Sequence, residues 1–239
     1  MGAAGALCSR KDKAQFTIRR YPSLMRDQYH EELDGISATL VEMAGLVSAA
    51  IRDATTALLG ANLAVAEEVI ASDNVIDALQ HDLDDRTVDL MARQQPVAGD
   101  LRTLVASLRM SADLERMGDL ANHVAKVARM RYPAVAVPTE LLEIIEKMAI
   151  VAESLSKKVA IIIRDRDTEK ALQLGADDDE MDILHRRLFI ALLDPTWPHG
   201  NEVAIDMTLI GRYYERFADH AVSVARRLYY LVTGEYADI

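Results

Sequence analysis

Two six-residue stretches decide the fold: Leu114-Glu115-Arg116-Met117-Gly118-Asp119 and Tyr214-Glu215-Arg216-Phe217-Ala218-Asp219. Each reads Glu-Arg, an apolar residue, a small residue, then Asp, and the two lie 100 residues apart. Upstream, Asp73-Asn74-Val75-Ile76-Asp77 pairs with Asp178-Asp179-Glu180-Met181-Asp182 at an offset of 105 residues. Motifs that recur in the same order at nearly constant spacing indicate an internal duplication. A shorter helix or loop in the second half absorbs the five-residue difference.

Outward from these motifs, prolines mark the joints, because a proline inside a helix breaks it. They stand at positions 22, 96, 133, 138, 195 and 198, and the long stretches between contain none. Leu33, Ile36, Leu40, Met43, Val47, Ala50, Ala54 and Ala57 recur at the three-four spacing of a bundle helix. Gly60 and Asn62 mark a turn. A second helix is predicted over 63–94, with Val65, Val69, Ile76, Leu79, Leu83 and Leu90 inward. A third follows Pro96 and ends near Tyr132-Pro133, and three more are predicted over 139–165, 168–193 and 201–233. Long helices joined by short loops pack antiparallel. The expected fold is all-α: two tandem three-helix bundles related by an internal repeat, over 25–133 and 138–239. Residues 1–24 read as a leader outside that fold, disordered or added upstream of a natural start at Met25.

Composition agrees with this. Half of the 239 residues are hydrophobic, mostly Ala, Leu, Val, Ile and Met, and aromatics make up only 5%. Small and unbranched side chains lose little rotamer freedom in a helix, whereas the alternation that signals strands is nearly missing. The formal charge is −11. Since the leader holds five basic residues and one acid, the body carries −15. Such a surface repels a phosphate backbone, so nucleic acid is not an expected partner. The single cysteine, Cys8, excludes a disulfide framework. No apolar run reads as a membrane span, and the leader lacks the apolar core of a signal peptide, so no membrane insertion is expected.

The acidic motifs carry the chemistry. Asp73 and Asp77, Glu115 and Asp119, Asp178 and Asp182, and Glu215 and Asp219 are each four residues apart, hence neighbours on one helix face. Like charges so placed repel, and more strongly where water is excluded. Glu115 and Asp119 continue the stripe of Leu101, Leu104 and Leu108, and Asn122 extends it by another oxygen donor. Antiparallel second and third helices could bring two pairs together as an oxygen-rich site for a hard cation or iron. Iron, zinc, manganese and magnesium are the candidate ions. The competing reading leaves these acids solvated or paired with arginines such as Arg109 and Arg116. Gly118 and Ala218 also fit simple close packing of helices. The six histidines form no repeated ligand pattern. Only Asp182-Ile183-Leu184-His185 approaches the Glu-x-x-His of di-iron bundles, once and with the wrong acid. No P-loop, nucleophile elbow or dinucleotide fingerprint occurs.

The segments Glu115-Arg116-Met117-Gly118-Asp119 and Glu215-Arg216-Phe217-Ala218-Asp219-His220-Ala221 resemble the PhoU family of phosphate-transport regulators. So do Gln95-Pro96 with Asp100-Leu101-Arg102, and the ending Tyr230-Leu231-Val232-Thr233-Gly234. The resemblance spans residues 25–239. It implies two three-helix bundles, a homodimer, and a cytoplasmic location. It also implies negative control of the phosphate-starvation response, exerted between the phosphate ABC transporter's ATPase subunit and a sensor histidine kinase. The family's Glu/Asp-x-x-x-Asp motif, which holds metal, corresponds here to Asp73 and Asp77, Glu115 and Asp119, Asp178 and Asp182, and Glu215 and Asp219. Val222 stands where Asn122 would recur, so a weaker second site is expected. The expected role is an adaptor without catalysis. The alternative is a metal-dependent carboxylate-bundle enzyme, against which the missing histidine ligands and nucleophile argue.

Overall fold

Turn chemistry sets the helix ends. The Asn62 side chain accepts a hydrogen bond from the Val65 amide and opens one helix, and Asp167 does the same from Lys170. Gly234, at φ 81°, closes another in the left-handed conformation that glycine adopts freely. The computed structural model describes residues 21–237, with side chains from Gln28 onward. The described residues form six α-helices: α1 (Tyr21–Gly60), α2 (Leu63–Gln94), α3 (Ala98–Arg131), α4 (Leu142–Asp165), α5 (Thr168–Leu192) and α6 (Gly200–Thr233). A 3₁₀ turn, Thr139–Leu141, precedes α4, and no strand occurs among the described residues.

Five of the six helices match the sequence expectation to within a few residues. The first does not. It begins at Tyr21, twelve residues before the apolar stripe and inside the stretch read as a leader. Pro22 does not prevent this, because the first turn of a helix has no intrahelical partner for its amides. The rest of the predicted leader lies outside the described residues. The chain divides into one unit ending at Gly35 and another running from Ile36. The bundle and every site below belong to the latter. The portion Gln28–Gly60 also passes a length-and-composition test for a membrane span, with mean hydropathy 1.3 over 18 residues. Its apolar face is nonetheless used inside the protein: Ile36, Leu40, Met43, Val47 and Ile51 are at most 1% exposed.

Helices α3 and α6 pack against each other along much of their length. These two run antiparallel: Arg131 near the end of α3 binds Asp206 near the start of α6, and Asp113 further back binds Arg227 further on. Helix α2 flanks α3, α5 flanks α6, and α4 lies against both α5 and α6. Leu114, Met117, Tyr214 and Phe217 are completely buried in α3 and α6. At the 100-residue offset Met117 corresponds to Phe217, so equivalent positions of the two repeats are buried on the two helices that pack together. Helix α1 joins the same core, where the hydroxyls of Thr55 and Tyr214 share a hydrogen bond of 2.6 Å.

Candidate functional site

Helix α2 carries Asp73 and Asp77 one turn apart, and α3 carries Glu115, Asp119 and Asn122. A bare backbone at Gly118 lets the two helices approach. A Cβ there would stand 2.9 Å from the Ile76 Cδ1 and 3.6 Å from an Asp73 carboxylate oxygen. The nearness is felt as charge. Desolvation raises the pKa of Asp73, and Asp77 and Asp119 add to the rise, while a hydrogen bond from Asn122 opposes it. Glu115 is raised by desolvation and by Asp119, Asp77 and Asp73, against the opposing Arg116.

The second repeat reproduces the arrangement between α5 and α6. Desolvation pushes Asp178 up to about 6, aided by Asp182, Asp219, Glu215 and Asp179. Burial also raises Glu215, with Asp219 contributing and Arg212 opposing. The structure therefore brings four carboxylates into one electrostatic cluster in each repeat, on the helix pairs that the sequence indicated. The second cluster is the more open, since Asp182 and Asp219 are exposed and their counterparts Asp77 and Asp119 are half-buried.

The clusters are not closed around a point. Among the described residues, no group of three His, Cys, Asp or Glu side chains is arranged to hold an ion as it stands. Arginine takes up part of the charge: Arg116 pairs with Asp119 at 2.5 Å, and Arg212 with Glu215. The donor set is nevertheless that of a hard cation, four carboxylates and an amide oxygen. The Asn122 amide nitrogen donates to Asp73, and its oxygen is buried with no hydrogen-bond partner. An unsatisfied buried acceptor costs stability, and a cation drawn in by the carboxylates would satisfy it. The donor types thus suit a hard cation, although the side chains are not arranged around one.

Two features go beyond the sequence reading, in which His185 stood only as an incomplete ligand motif. His185, on α5, lies beside the second cluster: burial and Arg212 lower its pKa, whereas Asp182 and Asp219 oppose. Its Nε2 is buried and unpartnered, so the second repeat, lacking the amide of Asn122, has an imidazole nearby. The other is a link between repeats. Asp113, buried on α3, accepts from Arg227 Nε at 2.5 Å and sits 3.1 Å from His220 Nδ1. Only the packing of α6 on α3 brings these partners to Asp113.

Fold and site together define an all-helical tandem-repeat protein with a carboxylate cluster in each repeat. The PhoU domain matches the chain twice, over residues 40–128 and 145–228. The Mycobacterium tuberculosis "phosphate-specific transport system accessory protein PhoU homolog 2" is 47% identical over 212 residues, covering 89% of this chain and 100% of that protein. The crystal structure of PhoU from Pseudomonas aeruginosa superposes with a TM-score of 0.79 at 27% identity, covering 87% of this chain and all of that one. That of the phosphate transport system regulatory protein PhoU from Streptococcus pneumoniae gives 0.78 at 24% identity, over 88% of this chain and all of that one, a likeness of fold. The chain belongs to the PhoU family.

Proposed function

We propose that this protein is a cytoplasmic negative regulator of the phosphate-starvation response, an adaptor between the phosphate ABC transporter's ATPase subunit and a sensor histidine kinase. The observation that carries this reading is the end-to-end match to a relative named as an accessory protein of phosphate-specific transport. Relatives named as accessory proteins of phosphate-specific transport support a role without catalysis. A homodimer is the expected working form. Nucleic acid does not suit the strongly acidic surface.

In this reading each repeat holds a metal ion: iron, zinc, manganese or magnesium. Asp73, Asp77, Glu115 and Asp119 would hold the first with help from Asn122, and Asp178, Asp182, Glu215 and Asp219 the second. The ion supplies positive charge that neutralises the clustered carboxylates and braces α2 to α3 and α5 to α6. The regulatory reading is tested by deleting the gene. Phosphate-scavenging genes are expected to be transcribed in phosphate-replete medium, and to fall silent again on complementation. Unchanged transcription in the deletion strain would refute it.

A further inference from the structure

A cavity of about 260 Å³ opens between α3 and α6, lined by residues that precede Glu115 on α3 and follow Asp219 on α6. Its floor is apolar, from Val105 and Ala106 of α3. Its polar lining is basic: Arg109 of α3 and Arg226 and Arg227 of α6, with Ser223, and no acid contributes to it. Arg227 is engaged by Asp113. Arg109 and Arg226 are exposed and have no carboxylate partner among the described residues.

An aromatic wall completes the cavity. Tyr230 stacks on Tyr236 with centroids 4.6 Å apart and planes at 16°. Tyr236 lies beyond the end of α6, brought back by the left-handed turn at Gly234, where an added Cβ would clash with the Arg102 guanidinium. Arg102 in turn sits 5.8 Å above the Tyr230 ring. The repeat does not require any of this. At the 100-residue offset, Arg109 corresponds to Leu209, and Arg226 and Arg227 to Lys126 and Val127. The cavity is therefore not a by-product of how paired motif helices pack.

Two guanidinium groups and a hydroxyl suit a phosphoryl dianion, which arginine binds through paired donors. Flat tyrosines above an apolar floor suit an organic ring. The volume lies just below the usual range for small-molecule pockets, so a compact ligand fits better than a macromolecular segment. We propose that this cavity binds a small phosphate monoester, its phosphoryl group held between Arg109 and Arg226 and its organic part against Tyr230 and Tyr236. This site is independent of the metal motifs and of the regulatory reading.

The test is calorimetric titration of the full chain with AMP, adenosine and inorganic phosphate. AMP is expected to bind and adenosine to give no heat. Arg109→Gln and Arg226→Gln, both at exposed positions, should each weaken AMP by roughly tenfold, whereas Arg129→Gln, elsewhere on α3, should not. Tyr236→Ala should weaken AMP and leave inorganic phosphate unaffected. If inorganic phosphate binds as tightly as AMP and Tyr236→Ala changes nothing, the phosphoryl site stands with free phosphate as its occupant. Adenosine binding as well as AMP would overturn the proposal. So would affinity unchanged in both arginine variants, or no heat from either AMP or phosphate.

Discussion

Asp178 gathers the electrostatics of the second cluster into one carboxyl. Its pKa is raised from 3.8 to about 6 by burial and by four neighbouring acids. The folded state thus holds this proton more tightly than the unfolded chain does. The resulting stabilisation is complete below pH 3.8 and is lost as pH rises through about 6. In chelator, the melting temperature of wild-type protein is expected to fall relative to that of Asp178→Asn between pH 5 and 7. Parallel pH profiles of the two proteins would show that Asp178 is solvated. Metal binding has the opposite dependence, because ligands must be ionised to coordinate. Added manganese or magnesium should raise the melting temperature more at pH 7 than at pH 5. Glu115→Gln with Asp119→Asn should abolish metal binding at the first site, yet melt no lower than metal-free wild type. Retention of that metal in the double variant, measured by equilibrium dialysis, would rule out these two ligands. The acids themselves were legible because a four-residue spacing puts side chains on one helix face whatever surrounds them. His185, His220 and Asp113 were not. Their roles depend on residues of a neighbouring helix, about which local spacing is silent.

Helix boundaries were legible for the reason that proline and cap residues act locally. The 63–94 helix was read from a turn at Gly60 and Asn62 and from Pro96, and the structure ends it at Gln94. The start of α1 was misread because its stripe was followed only from Leu33, while the backbone needs no apolar residue to remain helical toward Tyr21. How closely two helices approach is a separate matter, and Gly118 shows it. A methyl group there would crowd only the tip of the Ile76 side chain, which can turn aside, its other neighbours lying at ordinary contact distance, and Ala218 already occupies the equivalent position. Alanine also favours a helix by about 1 kcal/mol over glycine. Gly118→Ala should therefore stay within about 1 kcal/mol of wild type in urea denaturation. Gly118→Leu should cost about 3 kcal/mol through overpacking and force the Asp73 and Glu115 helices apart. A fully stable leucine variant would show that α2 and α3 are not held in close contact there.

Across the bundle, the pairing of α3 with α6 makes the repeats depend on each other. Tyr214 and Phe217 of the second repeat are completely buried, and Tyr214 bonds to Thr55 of the first. Burying one large apolar side chain contributes about 1.5–3 kcal/mol, so a half deprived of its partner would lose several such contributions. Calorimetry of the metal-free protein is expected to show one cooperative transition, and residues 138–239 expressed alone should not fold stably. Two resolved transitions would instead make the repeats independent domains. The same pairing bears on ancestry. Had a half-length forebear associated with a copy of itself through this helix, its surface would have had to be self-complementary, and every contact would occur twice. Joining the copies in one chain removes that demand. The contact of Asp113 with Arg227 occurs once, since Tyr213 and Val127 stand at the related positions. A tethered pair of copies can thus accumulate one-sided chemistry that a self-paired forebear could only have carried in duplicate.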